Sequence, residues 1–164
     1  MKTISIPTDA NICTNAAMRS VLSSTKNISR FTSLALSALT YRWVRGELKK
    51  PLIQNDCLLL KGAINIDTVL SDDEDKFNTE HNYNELYFKQ KLITGNLKIS
   101  VPLILKNIKK ILSPNISDRQ IEVYLSVQTE RYPSVTVFIH TYRENFDCWG
   151  NIDDFKQPVL KFVF

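Results

Sequence analysis

Four glycines in 164 residues, Gly46, Gly62, Gly95 and Gly150, stand far apart. A phosphate-cradling loop needs several glycines close together, so nucleotide-binding folds of that kind are excluded. Cysteine is scarce and odd in number: Cys13, Cys57 and Cys148 form neither a disulfide framework nor a CxxC pair. A reducing compartment is therefore expected. The two histidines, His81 and His140, lie in different segments, and the chain holds no HExxH or GxSxG. Zinc and serine-hydrolase chemistry lose their usual markers, and no metal or cofactor is expected. No apolar run approaches the roughly 18 residues of a membrane span, and the N-terminus lacks the apolar core of a signal peptide. These absences predict a cytoplasmic protein that does not enter membranes.

The length suits one ordinary domain, residues 1–164, able to bury a core without disulfides or metal. Charge is unevenly spread. Residues 1–50 carry eight Lys or Arg against Asp9 and Glu47, whereas residues 51–100 carry five against eight acids. Such asymmetry is one feature of chains that meet a charged partner.

The clearest pattern runs from Ile121 to His140. Ile121, Val123, Leu125 and Val127 alternate with Glu122, Tyr124, Ser126 and Gln128; then, past a turn containing Pro133, Val135, Val137 and Ile139 alternate with Thr136, Phe138 and His140. Period two with turn chemistry between predicts a hairpin with one buried face. A lone hairpin is marginal in water, so further strands and helices must cover it. Val159–Phe164 is apolar on both sides, which places it inside a sheet rather than at its edge.

Upstream, Lys2–Ile6 reads as an edge strand ended by Pro7. Thr8, Asp9 and Asn11 offer caps for a short helix over Ala16–Leu22. Asn27 offers a cap for a longer helix up to Gly46, with Ile28, Phe31, Leu34, Ala35, Ala38, Leu39 and Val44 as its buried face. Cys57–Ile66 reads as a buried strand bulged at Gly62. The polar stretch from Asp72 to Asn84 is expected to be a loop or a helix start. Next come a helix over Asn84–Ile93 stopped by Gly95 as C′, a short strand over Asn96–Val101 before Pro102, and an amphipathic helix from Leu103 to Leu112. The sum is an α+β fold: a largely antiparallel sheet with a C-terminal β-meander, and helices packed mainly on one face.

Three clusters carry candidate function. Arg42, Arg45, Lys49 and Lys50 surround Trp43 at the end of the long helix. The helix macrodipole favours cations there without any ligand, while a nucleic-acid reading uses the same residues on phosphates. Asp72, Asp73, Glu74 and Asp75 form an acidic run, too crowded and lacking the turn glycine for an EF-hand, that suits either a solvated face or a basic partner. Finally, His140, Tyr142, Arg143, Glu144, Asp147 and Trp149 gather where the second hairpin strand runs out. A metal-independent ribonuclease would use His140 as base, Arg143 on the phosphorane-like charge, and Glu144 or Asp147 to orient the imidazole.

Without a catalytic motif, the leading expectation is a protein-binding protein of the inhibitor or immunity type, neutralising a partner such as a toxin domain. Asp72, Asp73, Glu74, Asp75, Tyr142, Arg143 and Trp149 are its expected contact residues. The alternative is a nucleic-acid-binding protein or small ribonuclease using residues 42–50 and His140.

Overall fold

The computed structural model describes residues 11–23, 28–62, 72–116, 118–144, 146–147 and 149–164. In chain order the elements are β1 (Asn11–Thr14), α1 (Ala16–Ser23), α2 (Arg30–Glu47), β2 (Leu52–Gln54), β3 (Cys57–Leu59), α3 (Asp73–Tyr83), β4 (Glu85–Phe88), α4 (Lys91–Thr94), α5 (Leu97–Leu112), β5 (Ile121–Gln128), β6 (Ser134–Thr141), one 3-10 turn (Ile152–Asp154) and β7 (Val159–Val163). The fold is α+β.

Alternation sets the sheet. β5 and β6 pair antiparallel from Ile121↔Thr141 to Gln128↔Ser134, so Val123 faces the same way as Ile139, and Leu125 the same way as Val137. β7 lies on the other side of β5, with Val123↔Phe162 and Leu125↔Leu160 in register. It is paired on both sides, as a strand apolar on both faces requires, because β1 forms the edge beyond it. β4 forms the opposite edge beside β6, and the order is β1-β7-β5-β6-β4.

The first face of this sheet shares one hydrophobic cluster with α5 and with parts of α1 and α2. Residues Val101 to Leu105 are all buried, so α5 is apolar around its circumference there and is the central helix of the fold. α2 packs along α5, where Asn107 Nδ2 donates to Thr40 Oγ1 at 3.3 Å. α1 is capped by Asn15, whose Oδ1 accepts from the N–H groups of Met18 and Val159 at 2.9 and 3.1 Å. Its Nδ2 donates to the carbonyls of Phe155 and Gln157, tying α1 to the segment that leads into β7. α3 packs on the other face, against Phe138 and His140.

Several expectations are corrected. Leu86 and Phe88 are buried two residues apart as β4, so Asn84–Ile93 is a strand and the single turn α4 rather than one helix. Gly95 has φ −80°, not the left-handed C′ conformation; its need for glycine is steric, since a Cβ would stand 2.8 Å from the Lys91 carbonyl. Asn96–Val101 is not a strand but the opening of α5, which carries Pro102 inside it at the cost of one backbone bond. The strand from Cys57 ends at Leu59 and pairs with β2 through Asn55 and Asp56, both at positive φ as a tight hairpin turn requires. Gly62 does adopt φ +101°. The acidic stretch takes the helical of its two expected forms, with Asp72 as the cap that accepts from Asp75 N–H at 2.8 Å. Ser29 caps α2, which runs through Gly46 to Glu47. The Lys2–Ile6 strand, the Thr8 and Asp9 caps, the Asn27 cap and residues 63–66 lie outside the described residues; Asn11 lies in β1.

Candidate functional site

Three places concentrate polar chemistry or exposed apolar surface. The first joins α3 to the end of β6. Glu80 is fully buried, and its carboxylate accepts from Leu58 N–H (2.6 Å), Thr141 N–H (3.2 Å), Thr141 Oγ1 (2.8 Å) and Arg143 Nη1 (2.8 Å). One helical turn later Asn84 donates to the carbonyls of Leu58 and Ile139 and accepts from Leu60 N–H. Together they hold β3 against the sheet without strand pairing. Arg143 Nε also lies 3.4 Å from Asp73. Of the acidic run, Asp73 therefore meets Arg143 and Asp72 caps the helix, while Glu74 and Asp75 are exposed in a first turn where the macrodipole favours them.

The second is a charged network on the second face of the sheet. His140 Nε2 lies 2.9 Å from Glu122 Oε2 across the β5–β6 pair, and Lys161 Nζ on β7 lies 2.6 Å from Glu122 Oε1. Lys161 also reaches Asp147 at 3.1 Å, and Asp147 accepts from Tyr124 OH at 2.9 Å. Burial works against the Lys161 ammonium, but hydrogen bonds to Glu122, Tyr124 and Asp147 outweigh it and raise its pKa. Burial also raises the Tyr124 phenol. Asp147 is held below the usual carboxylate range because bonds from Tyr124 and Lys161 overcome its partial burial.

Rings close over this network. Trp149 stacks on Tyr124 at 4.8 Å and packs against Phe138 and Phe155, while Phe77 meets His140 edge-on at 4.8 Å. His140 is only 2% exposed, and its Nδ1 has no hydrogen-bond partner among the described residues. His81 stacks on Phe138 at 4.4 Å, and burial followed by the neighbouring His140 charge lowers its pKa. The structure thus links His140 through Glu122 and Lys161 to Asp147, and through Tyr124 to Trp149, both in the connector between β6 and β7. Arg143 turns away to Glu80, Glu144 is exposed, and Tyr142 is half-buried with its N–H bonded to the Gln120 carbonyl. Beyond the network the same face opens into a polar cleft of about 540 Å³ between Tyr87, Ser126, Thr136 and Lys156.

The third is the outer face of α2. Its inner face is Leu36, Thr40 and Val44, four residues apart, with Leu39 and Trp43 half-buried beside them. This leaves Phe31 at 85% and Leu34 at 61% exposed, with Ala35 and Ala38 exposed on the same side. The assignment of Phe31, Leu34, Ala35 and Ala38 to the buried face is overturned. The true inner stripe contains a threonine, which hid it from an apolar count; Thr40 satisfies its hydroxyl on the Leu36 carbonyl at 2.8 Å. Arg42, Arg45, Lys49 and Lys50 are all exposed at the far end. Arg45 sits over the Tyr41 ring, and Lys110 of α5 approaches the same ring at 5.6 Å.

The chain matches no family model, no curated protein sequence and no solved structure.

Proposed function

We propose that this protein works by binding another protein, in the manner of an inhibitor or immunity protein that neutralises one partner such as a toxin domain. The observation that carries the reading is the outer face of α2. Phe31, Leu34, Ala35 and Ala38 recur at i, i+3, i+4 and i+7 on a helix whose opposite side is already packed on α5. That spacing is the one by which a helix presents anchors to a groove. Single exposed leucines are ordinary on a surface, but a contiguous apolar stripe with a phenylalanine 85% exposed is a feature of contact surfaces.

The arrangement at His140 gives less support to the ribonuclease alternative. A general base must reach its proton, and here one imidazole nitrogen faces Glu122 while the other lies buried beneath rings. The basic residues 42–50 keep a phosphate-binding alternative in play. Among the described residues no helix is long and apolar enough to cross a membrane, and the thiols of Cys13 and Cys57 are free; both features agree with a cytoplasmic protein.

The test compares wild type with the double variant Phe31→Ser/Leu34→Ser as bait in the source cells. A protein captured by wild type alone, which then forms a stoichiometric complex when both are purified, supports the reading. Equal capture by the variant, or retention of RNA that falls steeply with salt in place of any protein, overturns it.

A further inference from the structure

α2 has two faces, and the outer one is divided along its length. At about 100° per residue, Phe31, Leu34, Ala38 and Arg45 fall within about 60° of one another, and Arg42 lies beside them. The stripe is thus apolar for its first two turns and cationic for its last, over about 21 Å from Phe31 to Arg45. No acid occurs from Arg30 to Gly46, and Glu47 is turned to Lys61 at 3.7 Å. Arg30, Arg42, Lys49 and Lys50 are exposed and have no ion-pair partner among the described residues. Lys110 adds a further cation beside Tyr41.

We infer that α2 docks in an apolar groove on an acidic protein, whose carboxylates stand at the end of the groove that meets Arg42, Arg45 and Lys49. The inference rests on the protein-binding reading above and names the chemistry of the partner. Phe31 and Leu34 fill the groove. Ala35 and Ala38 are small enough for its walls to approach the helix backbone, and the terminal cations meet the acids.

The registration of charge on the stripe disfavours the other occupants. A helix lying in a bilayer surface carries its cations on the side away from its apolar residues. Here Arg42 and Arg45 share the line of Phe31 and Leu34, so seating those two among acyl chains would drag the guanidinium groups inward. A second copy apposed through this face would bring Arg30, Arg42 and Arg45 of each chain toward the other with no carboxylate on the stripe to pair them. A nucleic acid would use the cationic end but leave Leu34, Ala35 and Ala38 in water.

The probe is a random peptide library displayed on phage, panned against the full-length protein and depleted on the Phe31→Ser/Leu34→Ser variant. Both residues are exposed, so the variant should melt like wild type, and circular dichroism checks this. Enriched peptides are expected to join large apolar residues to a cluster of Asp or Glu. A synthetic representative should lose about 30-fold or more in affinity to the double variant. It should associate about tenfold more slowly with Arg42→Glu/Arg45→Glu, with the difference shrinking as salt rises.

Peptides that need Phe31 and Leu34 but carry no acidic excess, and bind Arg42→Glu/Arg45→Glu equally well, would overturn the acidic partner and leave protein binding standing. Three results would remove the α2 face as a docking site for a different protein: no peptide dependent on Phe31 and Leu34, binding to phosphatidylserine–phosphatidylcholine vesicles that the double variant loses, or self-association in sedimentation that the double variant abolishes.

Discussion

Arg143 Nη1 meets Glu80 Oε2 at 2.8 Å, 63 residues apart in sequence, with neither side chain more than 8% exposed. The two arrive from different elements, Glu80 from α3 and Arg143 from just beyond β6. A buried carboxylate is tolerable only because every approach to it is a donor: two backbone N–H groups, the Thr141 hydroxyl and the guanidinium. Removing one partner of such a pair typically costs about 3–5 kcal/mol, because the other is left buried and uncompensated. Glu80→Ala and Arg143→Ala should each lower the melting temperature by about 10 °C, with Glu80→Gln milder because it keeps an acceptor for Leu58. Scanning calorimetry decides it. Melting within a degree or two of wild type would mean that β3 is not held by this clamp.

Val123 and Phe162 face each other across β5 and β7 and are both fully buried in the main cluster. Val123→Asp or Phe162→Asp would place an unpaired carboxylate where α5 covers the sheet. Either should leave the chain unfolded or molten at ambient temperature, since the cost of burying a lone charge approaches the whole stability of a domain. Near-ultraviolet circular dichroism and urea titration measure this. A cooperative transition at the wild-type midpoint would show that the inward face of the sheet is the other one.

The sheet core was legible because its signal is local. Val123, Leu125, Val137 and Ile139 alternate with polar residues, and that pattern admits one register against a buried face. β4 was not legible, since Leu86 and Phe88 make too short an alternating run to outweigh a helical reading; β6 supplies the pairing that stabilises them as a strand. The opening of α5 was obscured in the same way, because Leu97, Ile99 and Val101 alternate by coincidence, and Pro102 normally argues against a continuing helix.

Polar residues that organise the interior were less visible still. Glu80 and Asn84 sit four apart in a stretch whose composition reads as solvated, and only the tertiary arrangement shows both side chains turned inward. Glu122 occupies the polar phase of β5, which predicts exposure, and Lys161 is the lone polar residue of a strand that reads as apolar on both sides. They are instead covered by Trp149 and its neighbours, in a connector with no periodicity of its own. On α2 the error ran the other way: hydrophobicity alone does not distinguish a residue that faces the core from one that faces a partner.

His81 makes stability depend on pH in a stated direction. Burial and the His140 charge hold its pKa below the usual 6.5, so the unfolded chain takes up a proton that the folded protein resists. Stability is complete above about pH 7 and falls as pH drops below 6.5 toward the lowered folded value. His81→Phe keeps the stacking on Phe138 and should flatten urea midpoints between about pH 5 and 7. Asp56, held low by bonds from Arg119 and Lys76, and Asp147 act in a separate window, below the ordinary carboxylate value of 3.8. An unchanged slope in His81→Phe would assign the acid limb to other groups.

His140 separates catalysis from architecture in one substitution. A catalytic imidazole typically contributes about 10² to 10⁴ in rate, so His140→Gln in a ribonuclease should nearly abolish cleavage while leaving a folded protein. Its position predicts a different outcome. The imidazole is a partner of buried Glu122 and an edge-on neighbour of Phe77, so Gln should cost about 1–3 kcal/mol of stability. Lys161, still 2.6 Å from the other carboxylate oxygen, limits the loss. Melting curves for both proteins, with metal-free RNA cleavage by highly purified samples across about pH 5 to 8, read the two consequences side by side. The expected result is a lower melting temperature for the variant and no cleavage that tracks the residue. A bell-shaped rate profile in wild type that vanishes in a folded His140→Gln protein would reverse the assignment. A contaminating nuclease would not follow one buried histidine, and the connector over Tyr124 would then have to lift for the imidazole to reach RNA.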